Sequence, residues 1–227
     1  TSHKHRKQLF MSLMTEKRLQ DAVDIFKEAW ITSLEVWEQK NEVILYREMI
    51  NILTVTACKW AGVPLSKDTA NLRANQLEAL FDSAGAVGPR HWKGRVSRNA
   101  LEAWLKDMVE SVRNGILKVP EETALHRMAW YRDTNGQLLN AQVTAVEVLN
   151  ILRPIVAVAV YIVFTALALH KHPDEVEKLT YAEEGRYEMF IQEVRRYYPF
   201  FPYQTARVRE DFLWKGHDFK KDRKSVV

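Results

Sequence analysis

An arginine and a proline stand side by side, Arg153-Pro154, within the most apolar stretch of the sequence, between Leu149, Ile151 and Leu152 on one side and Ile155 and Val156 on the other. A guanidinium cannot shed its proton, and a buried cation without an anionic partner costs several kcal/mol. Two partners are open to Arg153: an internal carboxylate such as Glu147, or the carboxylate of a ligand. The proline removes one backbone hydrogen bond from the helix, at about 3 kcal/mol. Three further sets of residues could do chemistry. Glu193 and Arg196 have the spacing of an ion pair on one helix face, which by itself reads as a solvated surface pair. His3, Arg6 and Lys7 make a basic opening that could face an anion or simply solvent. Cys58 is the only thiol. Flanked by Ala57 and Lys59 within a helical stripe, with no glycine near enough to make a glycine-rich loop, it reads as a small buried apolar residue.

Helical spacing dominates the elements that must hold these residues. Ala22, Ile25, Phe26, Ala29, Trp30, Leu34 and Trp37 recur at three- and four-residue intervals and predict a long amphipathic helix. A second stripe runs from Leu45 to Trp60 and stops at Gly62-Val63-Pro64. Ser66 or Asp68 can cap a third helix reaching about Ala84, which Gly85 to Pro89 then break. Leu101 to Val112 form a fourth stripe, ended by Asn114-Gly115. The irregular stretch from Lys118 to Leu139 holds a turn at Asp133-Asn135-Gly136 and a short helix around Ala124 to Trp130. The longest apolar pattern runs from Asn140 to His172, and another helix covers Glu183 to Tyr198. Short strands follow at Thr205 to Val208 and Phe212 to Trp214, with hairpin-like spacing at Gly216. The expected class is mainly α with a minor β element near the C-terminus.

Ile155 to Leu169 is nearly uncharged but shorter than the roughly 18 to 20 apolar residues of a membrane span, so a buried core helix is expected and no transmembrane segment. With 47% hydrophobic and 27% charged residues, composition is that of an ordinary globular chain. A net charge of +4, evenly spread, gives no reason to expect nucleic acid as a partner. One cysteine excludes an internal disulfide and a cysteine-based zinc site, and agrees with a cytoplasmic location. The length fits one domain, residues 1–227.

Longer strings carry a resemblance. His5-Arg6-Lys7 with Leu9 to Thr15, Trp60-Ala61-Gly62-Val63-Pro64, Gly85 to Gly94, Leu152 to Ala157, Ala166 to His170 and Gln192 to Phe200 all resemble the bacterial fatty-acid peroxygenases and their decarboxylase relatives. These form the peroxide-using branch of the haem-thiolate cytochromes P-450. The order of a long apolar helix, an E-x-x-R helix and an aromatic-rich strand fits the same superfamily. The resemblance implies a partial cytochrome P-450-like helical domain that binds haem b and uses hydrogen peroxide as co-substrate, without NAD(P)H or a redox partner. It implies hydroxylation of long-chain fatty acids at the α or β carbon, with oxidative decarboxylation to terminal alkenes as the alternative. A helical remnant binding fatty acid without haem is a further one.

The resemblance also assigns residues. Arg153, with Pro154 beside it, would bind the fatty-acid carboxylate, and that carboxylate would serve as general acid–base group for peroxide cleavage. Phe81, Ala84, Phe200 and Phe201 would line the acyl-chain tunnel; His3, Arg6 and Lys7 would face the haem propionates; Glu193 and Arg196 would brace the haem-ligand loop. Cys58 does not sit in the glycine-rich loop that holds the iron ligand in this family, so no metal ligand is assigned. The sequence opens on Thr1 rather than Met, and Asp222 to Val227 depart from the family pattern. A fragment with a divergent tail at 222–227, inactive on its own, is therefore expected.

Overall fold

The structure, a computed structural model, describes residues 2–181, 185–201 and 205–226. Two compact units divide it, Thr1–Val163 and Phe164–Val227.

The first unit is helical. It holds α1 (Ser2–Leu13), α2 (Glu16–Trp37), α3 (Leu45–Ala61), α4 (Lys67–Asp82), α5 (Pro89–Arg113), α6 (Ala124–Ala129) and α7 (Ala141–Ala157). Helix α3 reads as apolar on almost every turn because it is enclosed by α2, α4 and α7, and ten of its residues, Met49 to Ala61, are buried. Its C-cap Gly62 has φ +76°, a left-handed conformation glycine adopts without cost. A Cβ there would also meet Thr123 Oγ1 at 2.5 Å. Leu101, Leu105 and Val109 of α5 and Val148, Leu152 and Val156 of α7 complete the core, all at or below 1% exposure.

Two boundaries differ from the sequence reading. Helix α5 begins at Pro89, twelve positions ahead of its apolar stripe, because proline suits the first helical position, where no N–H is needed. The apolar pattern after Asn140 is not one helix. It is interrupted at Val158, and α8 (Ala159–Lys171) follows, with Pro154 having removed the donor that would close the preceding turn. By length and composition alone Ala141–Lys171 could cross a membrane, with a mean hydropathy of 2.2 over its most apolar window. In α7 the stripe Thr144, Ala145, Val148, Leu149, Ile151, Leu152 and Val156 is buried in the core. Only 28% of that window is buried, however, and Tyr161 to Leu167 are half-buried rather than enclosed.

The second unit holds most of α8, then α9 (Pro173–Thr180), α10 (Arg186–Tyr197) and four three-residue strands. Strands β2 (Phe212–Trp214) and β3 (His217–Phe219) form the expected hairpin, with Phe212 opposite Phe219. Strand β1 (Thr205–Arg207) pairs antiparallel with β4 (Lys224–Val226), so the backbone of the tail joins a ladder. Helix α9 is absent from the sequence reading. It is only eight residues long, so Val176 and Leu179 are all that its apolar face shows, and Leu179 alone of them is buried.

Candidate functional site

A cavity of about 380 Å³ opens in the first unit between the end of α4, the first half of α5 and α7. Leu80, Ala84, Val146 and Leu149 give it apolar wall, while His91, Arg95, Arg98, Asn150 and Arg153 give it polar and cationic wall. Its geometry depends on Gly94. A Cβ at that buried position would overlap Ser83 Oγ, so glycine is what lets α5 run against the end of α4. An Arg90–Asp82 ion pair spans the same corner, and the guanidinium hydrogen bond from Arg90 holds the Asp82 carboxyl below the usual carboxylate range.

Arg153 is half-buried on α7. Glu147, the internal carboxylate one and a half turns earlier, accepts a hydrogen bond from Arg6 Nη1 at 3.0 Å, and its side chain is only 12% exposed. Arg153 itself makes no hydrogen bond or ion pair among the described residues. The two arginines that α5 puts in the same wall differ in this respect. Arg98 donates to Glu102 Oε1 at 2.6 Å, and Glu102 also accepts from Gln142. Arg95 lies over the Trp92 ring, 5.6 Å from its centroid, and has no acidic partner among the described residues. Such a wall can hold the head group of an anionic amphiphile, with apolar contacts for its chain.

The other expected site residues are dispersed. Phe81 is half-buried against the core of the first unit, and Ala84 lines the cavity with Arg153. In the second unit Phe200 and Phe201 meet edge to face at 4.4 Å. Pro154 is exposed, and so is Lys7. The His3 side chain lies outside the described residues. Its neighbour His5 meets the Tyr131 hydroxyl at 2.7 Å through Nδ1. Glu193 and Arg196 form a two-bond pair at 2.7 and 2.6 Å on the exposed face of α10. Sequence reasoning missed His91, Arg95 and Arg98. The signal was present in the alternation of basic and small residues from Arg90 to Arg98, but nothing local says which of them face Arg153.

No protein-family profile matches the sequence. Solved structures do. Cytochrome P450SP alpha (CYP152B1) in complex with (R)-ibuprofen is 43% identical, with a TM-score of 0.90 over 99% of this chain. Cytochrome P450EX alpha (CYP152N1) with myristic acid is 42% identical, with a TM-score of 0.89 over 100%. A variant of cytochrome P450 OleT in complex with arachidonic acid is 30% identical, with a TM-score of 0.89 over 100%. In sequence and fold the chain matches the CYP152 cytochromes P450. It spans about half the length of these structures, 54 to 55% of each.

A CYP152 relationship implies haem, and the donor set described here does not fit its iron. Cys58 is 1% exposed inside α3, and burial pushes its thiol up to about 12, opposite to the thiolate an iron ligand must be. Among the described residues no three His, Cys, Asp or Glu side chains gather. Apart from Cys58, the feature among the described residues that could do chemistry is the cavity with Arg153 in its wall.

Proposed function

We propose that this chain carries the carboxylate seat of a CYP152-type fatty-acid peroxygenase, with Arg153 as the seat. The observation behind it is a half-buried arginine in the wall of a cavity, while the carboxylate that could have neutralised it is taken by Arg6. The fatty acids in the P450EX alpha and OleT structures support the choice of ligand. A guanidinium binds a carboxylate through two parallel hydrogen bonds, which fixes orientation as well as charge. The substrate carboxylate, so held, accepts and returns the proton that peroxide must move during cleavage. The reaction then balances as R–H plus hydrogen peroxide to R–OH plus water, with peroxide supplying both oxygen and oxidising equivalents. Neither NAD(P)H nor a redox partner enters. Hydroxylation falls at the carbons next to the carboxylate, because the anchored end fixes which C–H bonds lie near the reacting centre. Haem b, if bound, would need an iron ligand other than the buried Cys58 thiol.

A chimera tests this, with the chain replacing the corresponding stretch of cytochrome P450SP alpha. It is expected to convert a fatty acid and peroxide to hydroxy acid, and Arg153→Ala to abolish turnover at any substrate concentration. Truncating one partner of a buried charge pair costs about 2 to 5 kcal/mol in binding, and the proton transfer is lost as well. Normal turnover at saturating substrate would refute the assignment of Arg153. Formation of an alkene one carbon shorter, with carbon dioxide and two waters, would replace hydroxylation by decarboxylation while keeping the seat.

A further inference from the structure

Arg95 shares the cavity wall with Arg153, and neither has an acidic partner among the described residues. Two acids paired with this part of α5 are engaged by other donors: Asp82 by Arg90, Glu102 by Arg98 and Gln142. Arg90, Lys93, Arg95 and Arg98 therefore leave an excess of positive charge along the exposed side of α5. The two free guanidiniums differ in setting. Arg153 is half-buried on a core helix, whereas Arg95 is exposed and packs on Trp92, itself 61% exposed. An exposed charge contributes to capture and a desolvated one to retention, since steering acts at long range and residence is set by contacts that must break.

We propose that Arg95 is an outer station for the ligand carboxylate, which it captures at the cavity mouth before the carboxylate passes to Arg153. Trp92 holds the Arg95 guanidinium by a cation–π contact and so keeps it facing the cavity without neutralising it. The short apolar wall of Leu80, Ala84, Val146 and Leu149 receives the first methylenes during the transfer. This rests on the reading of Arg153 as the inner seat, but the two act on different rates.

The test uses the 227-residue chain and 2-bromohexadecanoate, whose bromine beside the carboxylate quenches tryptophan fluorescence on contact. Stopped-flow mixing is expected to show quenching that Trp92→Phe diminishes. Arg95→Gln should slow association roughly tenfold at low ionic strength and flatten its salt dependence. Arg95→Lys should keep most of the rate, because steering needs the charge rather than the fork. Arg153→Gln should leave association intact and speed dissociation. The alcohol 2-bromohexadecanol should associate without salt dependence. If Arg95→Gln leaves association and its salt dependence unchanged, the outer station is wrong, whatever Arg153 does. If only Arg153→Gln is silent, the inner seat is wrong and the capture role of Arg95 stands.

Discussion

The two compact units are built from similarly amphipathic helices, yet they bury their apolar residues very differently. The first encloses a continuous core from Leu13 to Ala159. In the second, Ala168, Leu179, Val194 and Val208 are the buried apolar residues among those described, while Tyr181, Met189, Tyr197, Leu213 and Trp214 are more than half exposed. Local signals therefore suffice to fix helices and a hairpin in both units. In the first those elements enclose one another's apolar faces, whereas among the described residues of the second few apolar side chains are enclosed. The candidate site lies where that packing is, on α5 and α7, which pack against each other.

Core truncation should separate the units most strongly. Leu105→Ala removes a fully buried side chain between helices, and the loss expected in urea unfolding is about 2 to 5 kcal/mol. Val194→Ala, in α10, should cost less than about 1.5 kcal/mol, because only two methyl groups are lost from a unit whose few buried apolar residues form no continuous core. Equal losses would mean that the second unit is as well packed as the first. Next in size is Gly94→Ala, which forces a methyl group into Ser83 and should cost about 1 to 3 kcal/mol of overpacking. Adding Ser83→Gly should restore most of the loss, and the cavity with it.

That pairing shows what could be read from the sequence. Glycine and proline punctuation, with 3.6-residue periodicity, placed α3, α4, α6 and the β2–β3 hairpin to within a few residues. Helix α9 escaped because at eight residues it shows only Val176 and Leu179 of a stripe, too short a repeat to stand out, although Pro173 at its start was a legible signal. Pro154, whose missing N–H kinks or widens a helix, foreshadowed the break at Val158 but not its position. The Arg6–Glu147 pair joins residues 141 positions apart, beyond the reach of any local pattern. Arg153 was recognisable as an anomaly because charge in an apolar run is visible in one dimension. Its companions on α5 were not, since a basic helix reads the same whether it lines a cavity or faces water.

Titration should distinguish groups shifted by burial, found in the first unit, from the exposed ion pairs of the second. In the first, burial pushes Cys58 and Tyr46 each up to about 12, Tyr46 helped by the neighbouring Glu78 carboxylate. Both groups favour folding while neutral. Their contribution is complete below the unfolded values, about 9 for the thiol and about 10 for the phenol, and disappears as pH rises through about 12. In the second, hydrogen bonds from Lys178 hold the carboxyls of Asp174 and Glu175 below their ordinary values. That contribution is present above the unfolded carboxylate range and fades as pH falls through the depressed values. Far-ultraviolet circular dichroism against pH, with thiol labelling as a probe of α3, is expected to show cooperative alkaline loss. Only a shallow acid change should come from the second unit, whose pairs are solvent-exposed. Rapid labelling of Cys58 at neutral pH would contradict the burial on which the alkaline effect depends.

The smallest effect expected comes from the same chemistry, glutamate with arginine, placed in the two units. Glu147 is 12% exposed where Arg6 meets it, so Glu147→Gln leaves a partly desolvated guanidinium without its counter-charge and should lower the melting temperature measurably. Glu193 and Arg196 are 60% and 68% exposed and have better geometry, with two hydrogen bonds instead of one. Geometry is outweighed by water here, because solvent screens the attraction and competes for every donor and acceptor. Arg196 holds the Glu193 carboxyl below its usual range, yet that depression reflects a local contact rather than a buried charge. Glu193→Gln should therefore leave the melting temperature of the chain unchanged, and high salt should abolish what little difference there is. A loss equal to that of Glu147→Gln would show that α10 is covered in solution. The pair would then have to be regarded as an internal brace, the role its resemblance to cytochromes P-450 implies.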